Sequence, residues 1–209
     1  MATAWVGAGL STTKHVATAS RFSFPGRRRE MRIPAAMVSL CRDGKLQNAH
    51  TQAGELIFEE LRASRRNFPK LLESRAEAIS VLEEEIDELR DAVRANIIEH
   101  ARAEAVQVGA MALRLIIDGE GRQPSEARDR LAVQSAVVRA ANSDPLSPLV
   151  SAHEGKGYLR GRHEQLLAGL VADNHGQVIK AANALAVLAL RFVAEVPAEA
   201  DHHQVGSLR

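Results

Sequence analysis

From about Thr51 onward, apolar residues recur along this chain at steps of three and four. Ile79, Leu82, Ile86, Leu89, Val93 and Ile97 make one such stripe, the period of an amphipathic helix. Ser74 stands where an N-cap belongs, with Glu77 three residues on, which is the capping-box spacing. A second helix is predicted from Glu99 to Asp118, stopped by Gly119 and Gly121. Ala105, Val108, Ala112 and Leu115 form one stripe on it; Val106, Ala110, Leu113 and Ile117 form another. A helix apolar nearly all round has to be buried on most sides. Before these lies a shorter amphipathic segment, Glu55 to Leu61, ending near Asn67-Phe68-Pro69 because proline cannot continue the ladder. Pro124-Ser125-Glu126 opens another helix through about Ala141, and Asn142 to Pro148 reads as a linker. The expected fold class is an all-α helical bundle.

Beyond the linker the chain echoes its first half. Ser151 and Glu154 match Ser74 and Glu77, and Ala189-Leu190-Arg191 matches Ala112-Leu113-Arg114, always 77 positions later. An internal duplication and chance similarity between Ala- and Leu-rich helices both explain this. If it is a duplication, the second copy has lost its acid: Glu84, Glu85, Glu88 and Glu104 correspond to Gly161, Arg162, Gln165 and Ala181. The expected division is a flexible basic tail over 1–50, a helical core over 51–141, a second helical unit over 149–197, and a polar tail over 198–209.

Composition narrows the function classes. Aromatic residues are only 3% of 209, with one Trp and one Tyr, which argues against base-stacking platforms and so against nucleic acid as a partner. The net charge of +1 implies no polyanion partner from bulk charge. The single Cys41 excludes an internal disulfide framework and a thiolate zinc site. No apolar run is read as a membrane span, so a cytoplasmic protein without a membrane partner is expected. The first 29 residues hold Lys14, Arg21, Arg27, Arg28 and Arg29 but no acid. That is also the composition of a transit peptide, so organellar targeting is the alternative to a plain basic tail.

The chemistry-bearing stretch is Leu82-Glu83-Glu84-Glu85-Ile86-Asp87-Glu88-Leu89. Carboxylates three apart share a helix face, so Glu85 and Glu88 point the same way. Glu104 is offered from the next helix, one otherwise too apolar to face water. Three carboxylates between two helices make a hard, oxygen-only site of the kind Mg²⁺ accepts. The plainer reading of such a run is a solvated face, with Arg90 and Arg94 as partners within one turn. Glu104 is what weighs against it.

The order Glu60-Leu61-Arg62-Ala63, Phe68-Pro69, Ser74-x-x-Glu77, Val81 to Leu89 and Arg102 to Arg114 resembles the MazG-like group of all-α nucleotide pyrophosphohydrolases, over residues 52–118. The resemblance implies a MazG-like helical bundle that hydrolyses a nucleoside triphosphate to monophosphate and pyrophosphate with Mg²⁺, or Mn²⁺ in its place. It also implies an active oligomer, either a homo-oligomer or an internal pseudo-dimer. The family pattern is Glu-Glu-x-x-Glu followed by Glu-x-x-Asp. Glu84, Glu85 and Glu88 match its first part and Glu104 the second, while Gln107 stands where the Asp belongs. Glu85, Glu88, Glu104 and Gln107 are thus the expected ligands, and Glu84 shares a ligand role or orients water. Arg114, three turns on, is expected to pair with Glu77 or a phosphate. Gln107 removes one negative charge, so the alternative is a non-catalytic helical interaction protein that keeps the fold.

Other candidates carry less. His153-Glu154 and His163-Glu164 lack a second His four residues on and read as surface or structural histidines. His202-His203 lies in the polar tail, Arg27-Arg28-Arg29 is a short basic run, and Gly155-Lys156-Gly157 lacks P-loop spacing.

Overall fold

The computed structural model describes residues 35–72, 74–119, 123–142 and 148–197, with α1 side chains from Gly44 onward. Six helices follow one another: α1 Ala35–Asn67, α2 Arg75–Arg94, α3 Ile98–Gly119, α4 Glu126–Asn142, α5 Ala152–Val171 and α6 His175–Glu195. The described residues form the all-α bundle expected from the periodicity. The first helix begins at Ala35 rather than near Thr51, so the chain from 35 to 50 is helix and not tail. The basic segment before it, read as a tail or a transit peptide, and the polar tail after 197 lie outside the described residues.

The pattern of caps explains the breaks. Ser74 accepts a hydrogen bond from the Glu77 N–H at 3.1 Å, and Ser151 accepts one from the Glu154 N–H at 3.2 Å. Each satisfies a donor that the first helical turn leaves open. The stripe expected to run on to Ile97 ends at Arg94, because Asn96 turns left-handed at φ 56°, a conformation Asn tolerates better than most residues. Ile97 therefore leaves the stripe and stands 52% exposed.

That corner recurs 77 residues later in its backbone hydrogen bonds. Ala95, Asn96 and Ile97 donate to the carbonyls of Asp91, Val93 and Ala92; Ala172, Asp173 and Asn174 donate to those of Ala168, Leu170 and Gly169. Asp173 takes the same left-handed backbone, at φ 46°. Both α5 and α6 start 77 positions after α2 and α3. The buried faces keep step too: Ala78, Leu82, Ile86, Leu89 and Ala92 correspond to Gly155, Leu159, His163, Leu166 and Gly169.

The first helices of the two halves also correspond, in a register two residues longer. His50, Gly54, Ile57 and Leu61 are the buried face of α1, and Asp129, Val133, Ala136 and Ala140 that of α4. Each is 79 positions on, so the α4–α5 connection is two residues shorter than α1–α2.

Helices α3 and α6 share the largest interface and form the centre, with α2 and α5 as their hairpin partners and α1 and α4 across them. They run antiparallel, since Arg102 near the start of α3 bonds the Val196 carbonyl just past the end of α6. The axes come close where Gly109 lies: a Cβ there would meet Ile57 Cδ1 at 2.8 Å and Ala189 Cβ at 3.4 Å. By length and composition α6 is apolar enough to cross a membrane, with a mean hydropathy of 1.5. This corrects the expectation that no run reaches that length. In the bundle α6 packs against α1, α3, α4 and α5.

Buried ion pairs tie the ends of the central helices to α1 and α4. Arg114 is 2% exposed and donates through Nε to Asp118 Oδ2 at 3.1 Å. Its Nη1 reaches Ser64 Oγ at 2.8 Å, and its Nη2 reaches the Phe68 and Lys70 carbonyls at 2.6 and 2.7 Å. It caps the open carbonyls at the end of α1, a role different from the expected pairing with Glu77 or a phosphate. Arg65 bridges Asp118 and Asp129 at 2.6 and 3.1 Å. The counterpart of Asp118 is Glu195, which binds Arg191 at 2.7 Å, His50 at 2.9 Å and the Leu149 N–H at 2.8 Å. Leu149 corresponds to Leu72, whose N–H donates to Asp118 at 3.4 Å.

Candidate functional site

Glu85 and Glu88 sit one turn apart on α2, on the side turned to α3. Glu104 sits in the first half of α3, where Ala101, Ala105 and Val108 face the core. One oxygen from each of these carboxylates lies within 4.8 Å of the other two. The three are thus close enough to bind one cation together. Glu104 is 4% exposed, Glu85 is partly buried and Glu88 opens to solvent, so the cluster has a closed end and an open end.

Gathering these charges is unfavourable by itself. Burial first, then Glu104, Glu88, Glu60 and Glu84, push the Glu85 carboxyl up to about 8. Burial, followed by Glu88, also raises Glu104, against a downward pull from His100. His100 reaches Glu104 Oε1 at 2.7 Å from a half-exposed position. Near neutral pH the cluster therefore retains a proton, a state that a bound divalent cation relieves by replacing it. All-oxygen, anionic and partly dehydrated, the donor set fits a hard cation such as Mg²⁺ or Mn²⁺.

Gln107 reaches the cluster through its amide nitrogen. Its Nε2 donates to Glu104 Oε2 at 2.8 Å, the orientation a carboxylate requires of an amide. Glu104 thus has an oxygen held from each side, by His100 and by Gln107, which orients its carboxylate. Glu84 stands exposed, outside the group of three, and acts on Glu85 only through its charge.

The remaining acids of the run do form a solvated face: Asp87 and Asp91 pair with Arg90 at 2.6 and 3.1 Å, and Asp91 with Arg94 at 3.6 Å. The site and the wet face are two sides of one helix.

Glu60 is the residue that sequence reasoning missed. It lies on α1 beside buried Leu61, its carboxyl raised by burial, and its charge acts on Glu85. Its place just before a core leucine was visible, but nothing in the α1 pattern said that this edge meets α2 and α3. Of the weaker candidates, His153 is exposed and His163 is buried, its Nε2 without a hydrogen-bond partner. Burial pushes that imidazole below its ordinary range, and its position matches Ile86, so it fills a core position. Gly155-Lys156-Gly157 lies within α5 and forms no phosphate loop. Arg27-Arg28-Arg29 and His202-His203 fall outside the described residues. Compared with family models, curated proteins and solved structures, this chain matches none.

Proposed function

We propose that the chain hydrolyses a nucleoside triphosphate to the monophosphate and pyrophosphate in a Mg²⁺-dependent reaction, at the site formed by Glu85, Glu88 and Glu104. The observation that carries this reading is the convergence of three carboxylates within 4.8 Å, one of them buried in an otherwise apolar helix. A solvated acidic face has no reason to dehydrate a carboxylate, which costs several kcal/mol unless compensated. The resemblance to MazG-like enzymes supplies the reaction class.

Splitting a phosphoanhydride requires neutralising the triphosphate charge and placing a water in line. A Mg²⁺ ion held by these carboxylates would supply the charge neutralisation and polarise the phosphoryl group. The chain's own residues do the rest. His100 and Gln107 keep Glu104 oriented. Glu88, at the open end, faces the side from which a nucleotide arrives. Glu60, whose charge acts on Glu85, and the protonated form of Glu85 would hold protons beside the same cluster. The substitution of Asp by Gln107 favours a second reading, a helical interaction protein that keeps the bundle without the chemistry.

The test is pyrophosphate release from a panel of NTPs and dNTPs with Mg²⁺ or Mn²⁺, comparing wild type with Glu88→Gln. Metal-dependent release that falls at least a hundredfold in the variant, about 2.7 kcal/mol of transition-state stabilisation, supports the enzyme. No metal-dependent release from the wild type sinks it in favour of the interaction protein.

A further inference from the structure

The place in the second half that corresponds to the carboxylate site is a groove lined by arginines. Glu85 of α2 corresponds to Arg162 of α5, and Glu60 of α1 to Arg139 of α4, by the buried-face registers of the two pairs of helices. Glu104 and Gln107 correspond to Ala181 and Ala184. The groove, of about 300 Å³, is lined by Arg139, Arg162, Asn183, Ala184, Val187, Leu188 and Arg191. Trading Glu104 for Ala181 removes the buried acid, so no ligand set for a cation remains. Trading Glu60 and Glu85 for Arg139 and Arg162 turns the sign of the rim from negative to positive.

The three arginines differ in how their charges are balanced. Arg191 is paired with Glu195. Arg139 donates to Asn183 and Ser135, and Arg162 donates to Gln165 at 2.8 Å, all neutral acceptors. Among the described residues neither makes an ion pair. Two guanidinium groups held over one concavity by neutral partners leave their charge for an incoming anion. Guanidinium is the group whose planar fork suits phosphate oxygens.

We propose that this groove binds a small oligophosphate anion without a metal. The rim of Arg139 and Arg162 would take the phosphates, Asn183 would fix the Arg139 fork, and Val187 and Leu188 would form an apolar wall against the remainder of a phosphate ester. The volume is that of a small-ligand pocket, and no extended basic stripe continues from it along the described surface of α5, where Arg160 pairs with Glu164. A compact soluble anion fits this better than a polymer backbone. The inference rests on the α4–α5–α6 geometry and stands whether or not the carboxylate site is catalytic.

Inorganic tripolyphosphate in excess chelator is the probe, because without a divalent cation the carboxylate cluster repels an anion. Titration calorimetry on the full chain should give one saturable site. Arg139→Gln with Arg162→Gln should weaken it at least tenfold; both residues are exposed, so the thermal melt should not move. Ala184→Glu, which puts a carboxylate into the groove, should abolish binding, whereas Glu85→Gln should leave it unchanged. No saturable binding overturns the proposal. So does binding that the double arginine substitution leaves within threefold of wild type, since the anion is then held elsewhere, for instance by the basic N-terminal residues. Binding lost in Glu85→Gln overturns it as well.

Discussion

The α1–α2–α3 half and the α4–α5–α6 half put opposite charges at corresponding places on the same scaffold. Helix bounds, serine caps and the left-handed corner coincide between α2–α3 and α5–α6, and so does the acid at the end of each central helix. The reversal of charge lies on the faces between the hairpins and their crossing helices. In one half they carry Glu60, Glu85, Glu88 and Glu104; in the other they carry Arg139, Arg162, Gln165 and Ala181. What holds the bundle together and what the surface offers a ligand are therefore separable in this protein. Backbone corners and the register of buried positions are kept, while the groove positions change sign without disturbing either.

The largest test of that separation compares the buried Arg114 with the partly buried Arg191. Arg114 serves Asp118 and four acceptors at and just past the α1 end, at 2% exposure. Arg114→Ala should cost about 3–5 kcal/mol, because it leaves buried acceptors without a donor. Arg191→Ala should cost only about 1–2 kcal/mol, since Glu195 keeps His50 and the Leu149 N–H. Urea unfolding of both variants measures the contrast. Equal losses would mean that the two halves are not anchored as the contacts indicate.

The pH response should separate the halves next, and with opposite signs. Glu85, raised from 4.5 to about 8, binds a proton in the folded chain that the unfolded chain has released. Metal-free stability should therefore fall as pH rises from about 4.5 through 8. Glu195 would be raised by burial alone, yet hydrogen bonds from His50, Arg191 and Leu149 hold it at about 2. Its contribution should be present above about pH 4.5 and disappear as pH falls toward 2. Chemical denaturation across this range should show Glu85→Gln flattening only the alkaline limb. Adding Mg²⁺ should restore stability there in the wild type and not in the variant.

Gln107→Asp probes the acid site alone. It adds a charge beside Glu104 and removes the amide donor, so Mg²⁺ affinity should rise about tenfold, equivalent to 1.4 kcal/mol, while the metal-free melting temperature drops. A Mg²⁺ titration showing weaker binding would mean that orienting Glu104 matters more than charge. The smallest effects should fall on the caps. Ser74→Ala and Ser151→Ala should each cost about 1 kcal/mol, and a marked inequality between them would count against equivalent corners.

The two kinds of residue were not equally legible beforehand. Leu82, Leu89, Val108 and Leu115 revealed their helices through spacing, and Ser74 with Glu77 marked a start that the structure keeps. The 77-residue echo was readable at Ser151, Glu154 and Arg191. The end of α2 was misread at Ile97, because an apolar residue in register says nothing about the left-handed turn at Asn96 just before it. The onset of α1 was missed because the stretch from Ala35 to His50 lacks a strong apolar stripe. Arg114 was assigned a distant partner because its true acceptors, carbonyls at the end of α1, carry no side-chain signature.

By itself, then, the sequence determined the all-helical class, the starts of α2, α3 and α4, and the fact that Glu85 and Glu88 share a face. Each of these follows from interactions within a turn or two of the chain. Tertiary structure alone decided that the charge of Glu60 acts on Glu85, that Gln107 holds Glu104, and that Arg139 and Arg162 line one groove. Those pairings depend on which edge of α1 or α4 crosses which hairpin. That crossing is set by packing across the whole bundle, where close approach at Gly109 and the buried ion pairs fix the axes.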